Sequence, residues 1–153
     1  MAIFCIANKP SESRVRILVV DDNAPFRDFI CSMLKKRAEL QVIGEASNGL
    51  EAVHKAEELQ ADLVLLDIGL PRLNGIEAAR RICKLAFKSK IIFFLSQESS
   101  PDVVQSALRL GAMGYVAKPK AGSDLLAAVE AVVQGNQFVS AGLLKDQVLT
   151  DRE

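Results

Sequence analysis

The feature that most limits this chain is an alternation, repeated five times, between a short apolar run and a stretch whose apolar residues recur at helical spacing. Ile17-Leu18-Val19-Val20, entered through Arg16, is continuously apolar, as a strand buried on both faces of a parallel sheet must be. Beyond Asp21-Asp22-Asn23, the residues Phe26, Phe29, Ile30, Met33 and Leu34 follow the i, i+3, i+4, i+7, i+8 pattern of a helix stripe, and Pro25 suits its first turn. The same reading predicts strands near Gln41 to Ala46, Asp62 to Leu66, Ile91 to Leu95 and Gly114 to Ala117. It predicts helices near Leu50 to Leu59, Ile76 to Ala86, Asp102 to Leu110 and Asp124 to Gln134. Parallel strands need crossover connections, and right-handed crossovers give an α/β domain with a doubly wound, five-stranded parallel sheet.

The 153 residues suit one such domain with tails. The polar, turn-rich stretch Asn8 to Ser13 marks residues 1–14 as a leader ahead of a folded domain over 15–135. Nineteen basic residues balance nineteen acidic ones, so no global field draws the chain onto DNA or an anionic membrane. No apolar run reaches the roughly 18 to 20 residues of a membrane span, and the start lacks the pattern of a signal peptide. A cytoplasmic protein without a membrane partner is expected. Cys5, Cys31 and Cys83 form neither a disulfide framework nor a metal-ligand pair, and Cys83 is expected on the buried stripe of its helix. His54, flanked by Lys55 and Glu57-Glu58, is expected to face solvent.

Ligands of doubly wound sheets collect at the carboxyl ends of the strands, near the point where the winding reverses. There the sequence places Asp21 and Asp22 after the first strand, Asp67 after the third, Ser96 after the fourth and Lys118 after the fifth. Taken singly, Asp22 or Asn23 reads as a helix N-cap, Ser96 as a turn residue and Lys118 as surface. Taken together they read otherwise. Like charges about 4 Å apart repel by on the order of 4 kcal/mol at an effective dielectric near 20, so three carboxylates call for a cation. Oxygen-only ligands suit Mg²⁺, which commonly accompanies a phosphate, and Lys118 and Ser96 could then hold phosphoryl oxygens.

These segments resemble the receiver domains of bacterial two-component response regulators, over about Val15 to Gln134. Val19-Val20-Asp21-Asp22-Asn23 is similar to that family's acidic pair, and Leu65-Leu66-Asp67-Ile68-Gly69-Leu70-Pro71 to the segment around its phosphoacceptor. Ser96, Tyr115 and Lys118-Pro119 match its hydroxyl, aromatic-switch and Lys-Pro positions. The resemblance implies a flavodoxin-like (βα)5 fold of strand order 2-1-3-4-5. It also implies that Asp67 accepts a phosphoryl group from a sensor histidine kinase. Mg²⁺ would be held by Asp22, Asp67 and the Gly69 carbonyl, with Asp21 acting through water. Lys118 and Ser96 would hold phosphoryl oxygens, Tyr115 would turn inward as Ser96 is drawn in, and the Lys118-Pro119 bond would be cis.

Gly75-Ile76-Glu77-Ala78-Ala79-Arg80-Arg81-Ile82 resembles the NarL/FixJ (LuxR-type) class, in which a helix-turn-helix output domain follows the receiver. The resemblance implies that residues 136–153 are a linker and the first residues of a truncated DNA-binding output domain; Thr150 and Glu153 form a capping box where it would open, so DNA binding is expected only through that domain. An aspartyl-phosphate phosphatase would need an acid two residues after Asp67, where Gly69 stands. A nucleotide binder would need a glycine-rich loop where Asp21 and Asp22 stand. On the last helix Leu125, Ala128, Val129 and Val132 form one stripe, leaving Leu126 and Val133 to be covered by a second copy on phosphorylation or by the segment Phe138 to Leu144.

Overall fold

The computed structural model describes residues 14–96 and 101–141. Its strands are β1 (Val15–Val20), β2 (Leu40–Ala46), β3 (Leu63–Asp67), β4 (Lys90–Leu95), β5 (Gly114–Ala117) and β6 (Phe138–Val139). Its helices are α1 (Ala24–Lys35), α2 (Gly49–Leu59), α3 (Gly75–Leu85), α4 (Pro101–Arg109) and α5 (Ala121–Val133). The strands form one sheet ordered β2-β1-β3-β4-β5-β6, and every pair is parallel. The order of the first five is the one the resemblance implies.

Because strand side chains alternate between faces, the continuous apolar runs build two cores. Leu18, Val20, Val64, Leu66, Phe93 and Tyr115 pack on one face with α2 and α3 residues such as Ala52, Ala56 and Ile82. Ile17, Val19, Leu65, Ile92, Phe94 and Val116 pack on the other with Ile30 and Leu34 of α1 and with Leu125, Ala128 and Val132 of α5.

Three helices begin in the same way. Asn23, Asn48 and Asn74 each accept a hydrogen bond from the backbone N–H three residues on, at Phe26, Glu51 and Glu77. Asn23 therefore takes the cap and leaves Asp22 exposed at the rim. The helix α5 starts about one turn earlier than its apolar stripe indicates, because the 3₁₀ turn Lys118–Lys120 runs directly into it.

Three expectations need correction or extension. The sheet has a sixth strand, since Phe138–Val139 lies within the segment read as linker and pairs with Gly114 and Tyr115. Two residues are too few to show a period. Ser140 pins this strand: its buried hydroxyl accepts from the Ala117 N–H at 3.0 Å and donates to Asp124 Oδ2 at 2.8 Å. No peptide bond among the described residues is cis, so the Lys118-Pro119 bond is trans; Pro119 lies in the first turn of the 3₁₀ helix, which its fixed φ suits. Cys83 is exposed rather than buried, because the inner face of α3 is carried by Ile76, Ala78, Ala79 and Ile82, and position 83 falls on its flank. His54 is exposed, as expected. Among the described residues Val133 remains 42 % exposed, and Leu126 is half-buried at the edge of the α1–α5 core. Cys5, Thr150, Glu153 and the stretch Gly142 to Leu144 lie outside the described residues. No helix among the described residues is long and apolar enough to cross a membrane.

Candidate functional site

The carboxyl ends of β1, β3 and β5 bring together residues that are 46 and 51 positions apart in the chain. One carboxylate oxygen from each of Asp21, Asp22 and Asp67 lies within 4.8 Å of the others. Asp21 and Asp67 are buried, and Asp22 is exposed and closes the cluster from outside. Nζ of Lys118 reaches in from the end of β5, 2.8 Å from Asp21 Oδ2 and 3.3 Å from Asp67 Oδ2.

Each group is fixed by its neighbours. Asp21 Oδ1 accepts from the Asn23 N–H at 2.8 Å, which orients the carboxylate, and Arg27 Nη1 donates to the Asp21 carbonyl at 2.6 Å. Asp67 Oδ1 accepts from the Gly69 N–H at 3.2 Å. The ring of Phe26 lies under Lys118, 4.8 Å from centroid to Nζ, and packs edge-on against Phe94. Asp67 could not sit where it does without Gly75, because a Cβ there would come within 2.3 Å of the Asp67 carbonyl oxygen. Gly69, by contrast, has no atom within 4 Å of where its Cβ would be, so this position faces open space.

The electrostatics follow from this crowding. Burial, and next the charge of Asp21, push the Asp67 carboxyl above its ordinary range, with Lys118 and the Gly69 N–H opposing. Burial alone would lower Lys118, but its contacts with the two carboxylates outweigh that and hold the ammonium above its usual value. Asp21 Oδ2 is buried, and the Lys118 ammonium at 2.8 Å is its partner. Three carboxylates gathered within 4.8 Å around one ammonium are an oxygen donor set with capacity left for a hard cation.

Of the other residues singled out in the sequence, Ser96 directly follows β4 and is half-buried. Tyr115 is turned inward. Its ring is buried, its hydroxyl donates to the Ala107 carbonyl at 3.0 Å with the Leu108 carbonyl at 3.5 Å, and burial pushes its pKa up to about 12. Sequence reasoning missed Phe26, Arg27 and Gly75. Phe26 was legible only as a stripe residue, and Gly75 looked like helix-start punctuation.

The model of the response regulator receiver domain matches residues 17–130. The nitrate/nitrite response regulator NarL of Escherichia coli K12 is 34 % identical over 127 residues, which cover 83 % of this chain and 58 % of that protein. A protein-glutamate methylesterase of Syntrophomonas wolfei is 40 % identical over 106 residues, 69 % of this chain but 30 % of that enzyme. Among solved structures, a LuxR-family response regulator from Aurantimonas superposes with a TM-score of 0.83 at 29 % identity, covering 92 % of this chain and all of that one. The receiver domain of a NarL regulator from Mycobacterium tuberculosis gives 0.74 at 26 % identity, covering 81 % of this chain and 99 % of that one. This chain therefore spans less than two thirds of the length of NarL, and the similarity to the methylesterase covers under a third of that enzyme.

Proposed function

This chain belongs to the response regulator receiver family, with relatives of the NarL and LuxR type, and from that membership we propose that Asp67 accepts a phosphoryl group from a sensor histidine kinase. The observation that carries the proposal is the position of Lys118, two strands away in the sheet yet 3.3 Å from Asp67. Such a cation can serve the oxygens of an incoming phosphoryl group without moving far.

In the proposed step, an Asp67 oxygen attacks the phosphorus of the kinase phosphohistidine. The new O–P bond makes an acyl phosphate as the P–N bond breaks, and the electron pair returns to the imidazole nitrogen, which takes up a proton. Lys118 gives up its carboxylate contacts to hold a phosphoryl oxygen, and Ser96 donates to another. Asp22, Asp67 and the Gly69 carbonyl would hold Mg²⁺ directly, with Asp21 through water, and the ion would neutralise charge building on the transferring group. Asn23 and Gly69 keep both buried carboxylates oriented through their backbone N–H groups. Tyr115, turned inward, ties the end of α4 to β5, and with Ser96 drawn towards the phosphoryl group it would act as the switch.

By the same reasoning this chain does no chemistry beyond its own phosphorylation and slow dephosphorylation. In the longer protein it would switch a helix-turn-helix transcription factor in the cytoplasm, DNA being met only through that output domain. Phosphorylation would favour a homodimer using the exposed flank of α5. The test is exposure of the chain to Mg²⁺ and acetyl phosphate, followed by intact mass measurement with and without hydroxylamine. Gain of one phosphoryl group that hydroxylamine removes supports an acyl phosphate. No gain, or a hydroxylamine-stable one, rules it out.

A further inference from the structure

At the end of the sheet opposite Asp67, a cleft of about 310 Å³ opens between the start of β1, the start of β4 and the last turn of α5. The side chains around its mouth are Arg14, Lys88 and Lys90, with a single carboxylate, Asp62; Leu63 and Val132 supply an apolar floor.

The acid is engaged through one oxygen. Asp62 Oδ2 accepts from the Arg16 N–H at 2.9 Å, while the Arg16 guanidinium turns away to the Leu59 and Gln60 carbonyls. The bases are less so. Nζ of Lys90 donates to the Val132 carbonyl at 3.2 Å, one bond from a group that can make three. Arg14 Nε is buried and has no hydrogen-bond partner. The plain alternative is that these cations answer the free carbonyls at the end of α5, and Lys90 does so. That accounts for one of the three. It leaves unexplained why Arg14 and Lys88 border the same cleft and why Arg14 Nε is withdrawn from water without an acceptor, which costs free energy unless something else fills the role.

We propose that this cleft binds an organic phosphate monoester. Three cations against one carboxylate leave two positive charges, which match the charge of about −1.5 to −2 that a phosphate monoester carries near neutral pH. A phosphate has enough acceptor oxygens for Arg14, Lys88 and Lys90 together, whereas a single carboxylate cannot satisfy all three equally. The apolar floor and the volume, at the small end for ligand pockets, select a compact body behind the headgroup. The site is separate from the Asp67 cluster and does not depend on it.

The test is a titration of the whole isotopically labelled chain with phenyl phosphate, inorganic phosphate and benzoate, followed by amide NMR shifts. Phenyl phosphate should bind at least tenfold more tightly than inorganic phosphate or benzoate. The saturating shifts should fall at Val15, Leu63, Lys90 and Val133. Lys88→Glu should weaken binding at least tenfold with an otherwise unchanged spectrum, and Asp67→Asn should not alter it. Equal response to all three probes, shifts clustered at Asp67 and Lys118, or indifference to Lys88→Glu would each overturn the proposal.

Discussion

Nζ of Lys118 lies 2.8 Å from Oδ2 of Asp21, a carboxylate oxygen buried away from water. The cation thus holds together a cluster that would otherwise repel itself. Lys118→Ala should leave Asp21 and Asp67 facing each other without a counter-charge. Removing one partner of a buried pair typically costs about 3 to 5 kcal/mol, and added Mg²⁺ should recover a large part of it. Urea unfolding with and without Mg²⁺ measures this. A variant as stable as wild type without the ion would show that Lys118 does not balance the cluster.

The raised pKa of Asp67 gives a stability prediction with a definite sign. A carboxyl whose folded value lies above its unfolded value contributes stability at low pH and loses it as pH rises through the folded value. At neutral pH the ionised Asp67 is therefore a net cost, and Asp67→Asn should melt higher than wild type in the absence of metal, by a few degrees. The gap should close as pH falls below the ordinary carboxylate range. A variant less stable than wild type at pH 7 would contradict the assigned direction.

Gly75 and Gly69 flank Asp67 and should respond oppositely to substitution. A Cβ at Gly75 would press within 2.3 Å of the Asp67 carbonyl oxygen and 2.6 Å of the Ile68 Cα, both backbone atoms. Gly75→Ala should cost about 2 kcal/mol or more, by the usual scale of overpacking. Gly69→Ala has open space and should stay within about 0.5 kcal/mol. Chemical denaturation of both variants decides the matter, and equal effects would mean that Gly75 is not the residue that lets α3 approach the site.

That open space also bears on how long the proposed acyl phosphate would last. The family resemblance implies that the position two residues after the phosphoacceptor tunes hydrolysis; Gly69 there carries no side chain to orient an attacking water, so slow self-dephosphorylation is expected, and Gly69→Asn should shorten the lifetime by placing an oxygen near that water. Following loss of the phosphoryl group after donor removal tests the prediction, and an unchanged or longer lifetime in the variant would defeat it.

Tyr115 supplies a high-pH signature. Its pKa of about 12, against an ordinary value near 10, means that its stabilising contribution is complete below pH 10 and is lost as pH climbs towards 12. Tyr115→Phe should cost about 1 kcal/mol near neutrality through the lost hydrogen bond to Ala107. It should lose less stability than wild type between pH 10 and 12. Parallel pH-dependent losses in the two proteins would show that the hydroxyl is not held in the interior.

Most of the fold was legible because a parallel sheet buried on both faces writes itself as continuous apolar runs, and Ile17 to Val20 or Ile91 to Leu95 have few other uses. The acidic cluster was legible because strand ends in such a sheet share a rim. What stayed hidden depends on contacts across the chain. The pairing of Phe138–Val139 with β5 rests on Ser140 reaching Asp124 and Ala117, which no local pattern announces. Phe26 beneath Lys118 is a three-dimensional coincidence of two elements 92 residues apart. Cys83 is exposed because its position sits at the margin of the stripe, on the flank of α3 beside Ile82 and Ala79, which carry the buried face.

The central claim, that Asp67 is the phosphoacceptor, is tested most directly by intact mass of wild type and Asp67→Asn after equal exposure to acetyl phosphate and Mg²⁺. The account predicts one added phosphoryl group on wild type and none on the variant, with both proteins folded by circular dichroism. Equal phosphoryl gain in the folded variant would contradict it and move the acceptor to another residue.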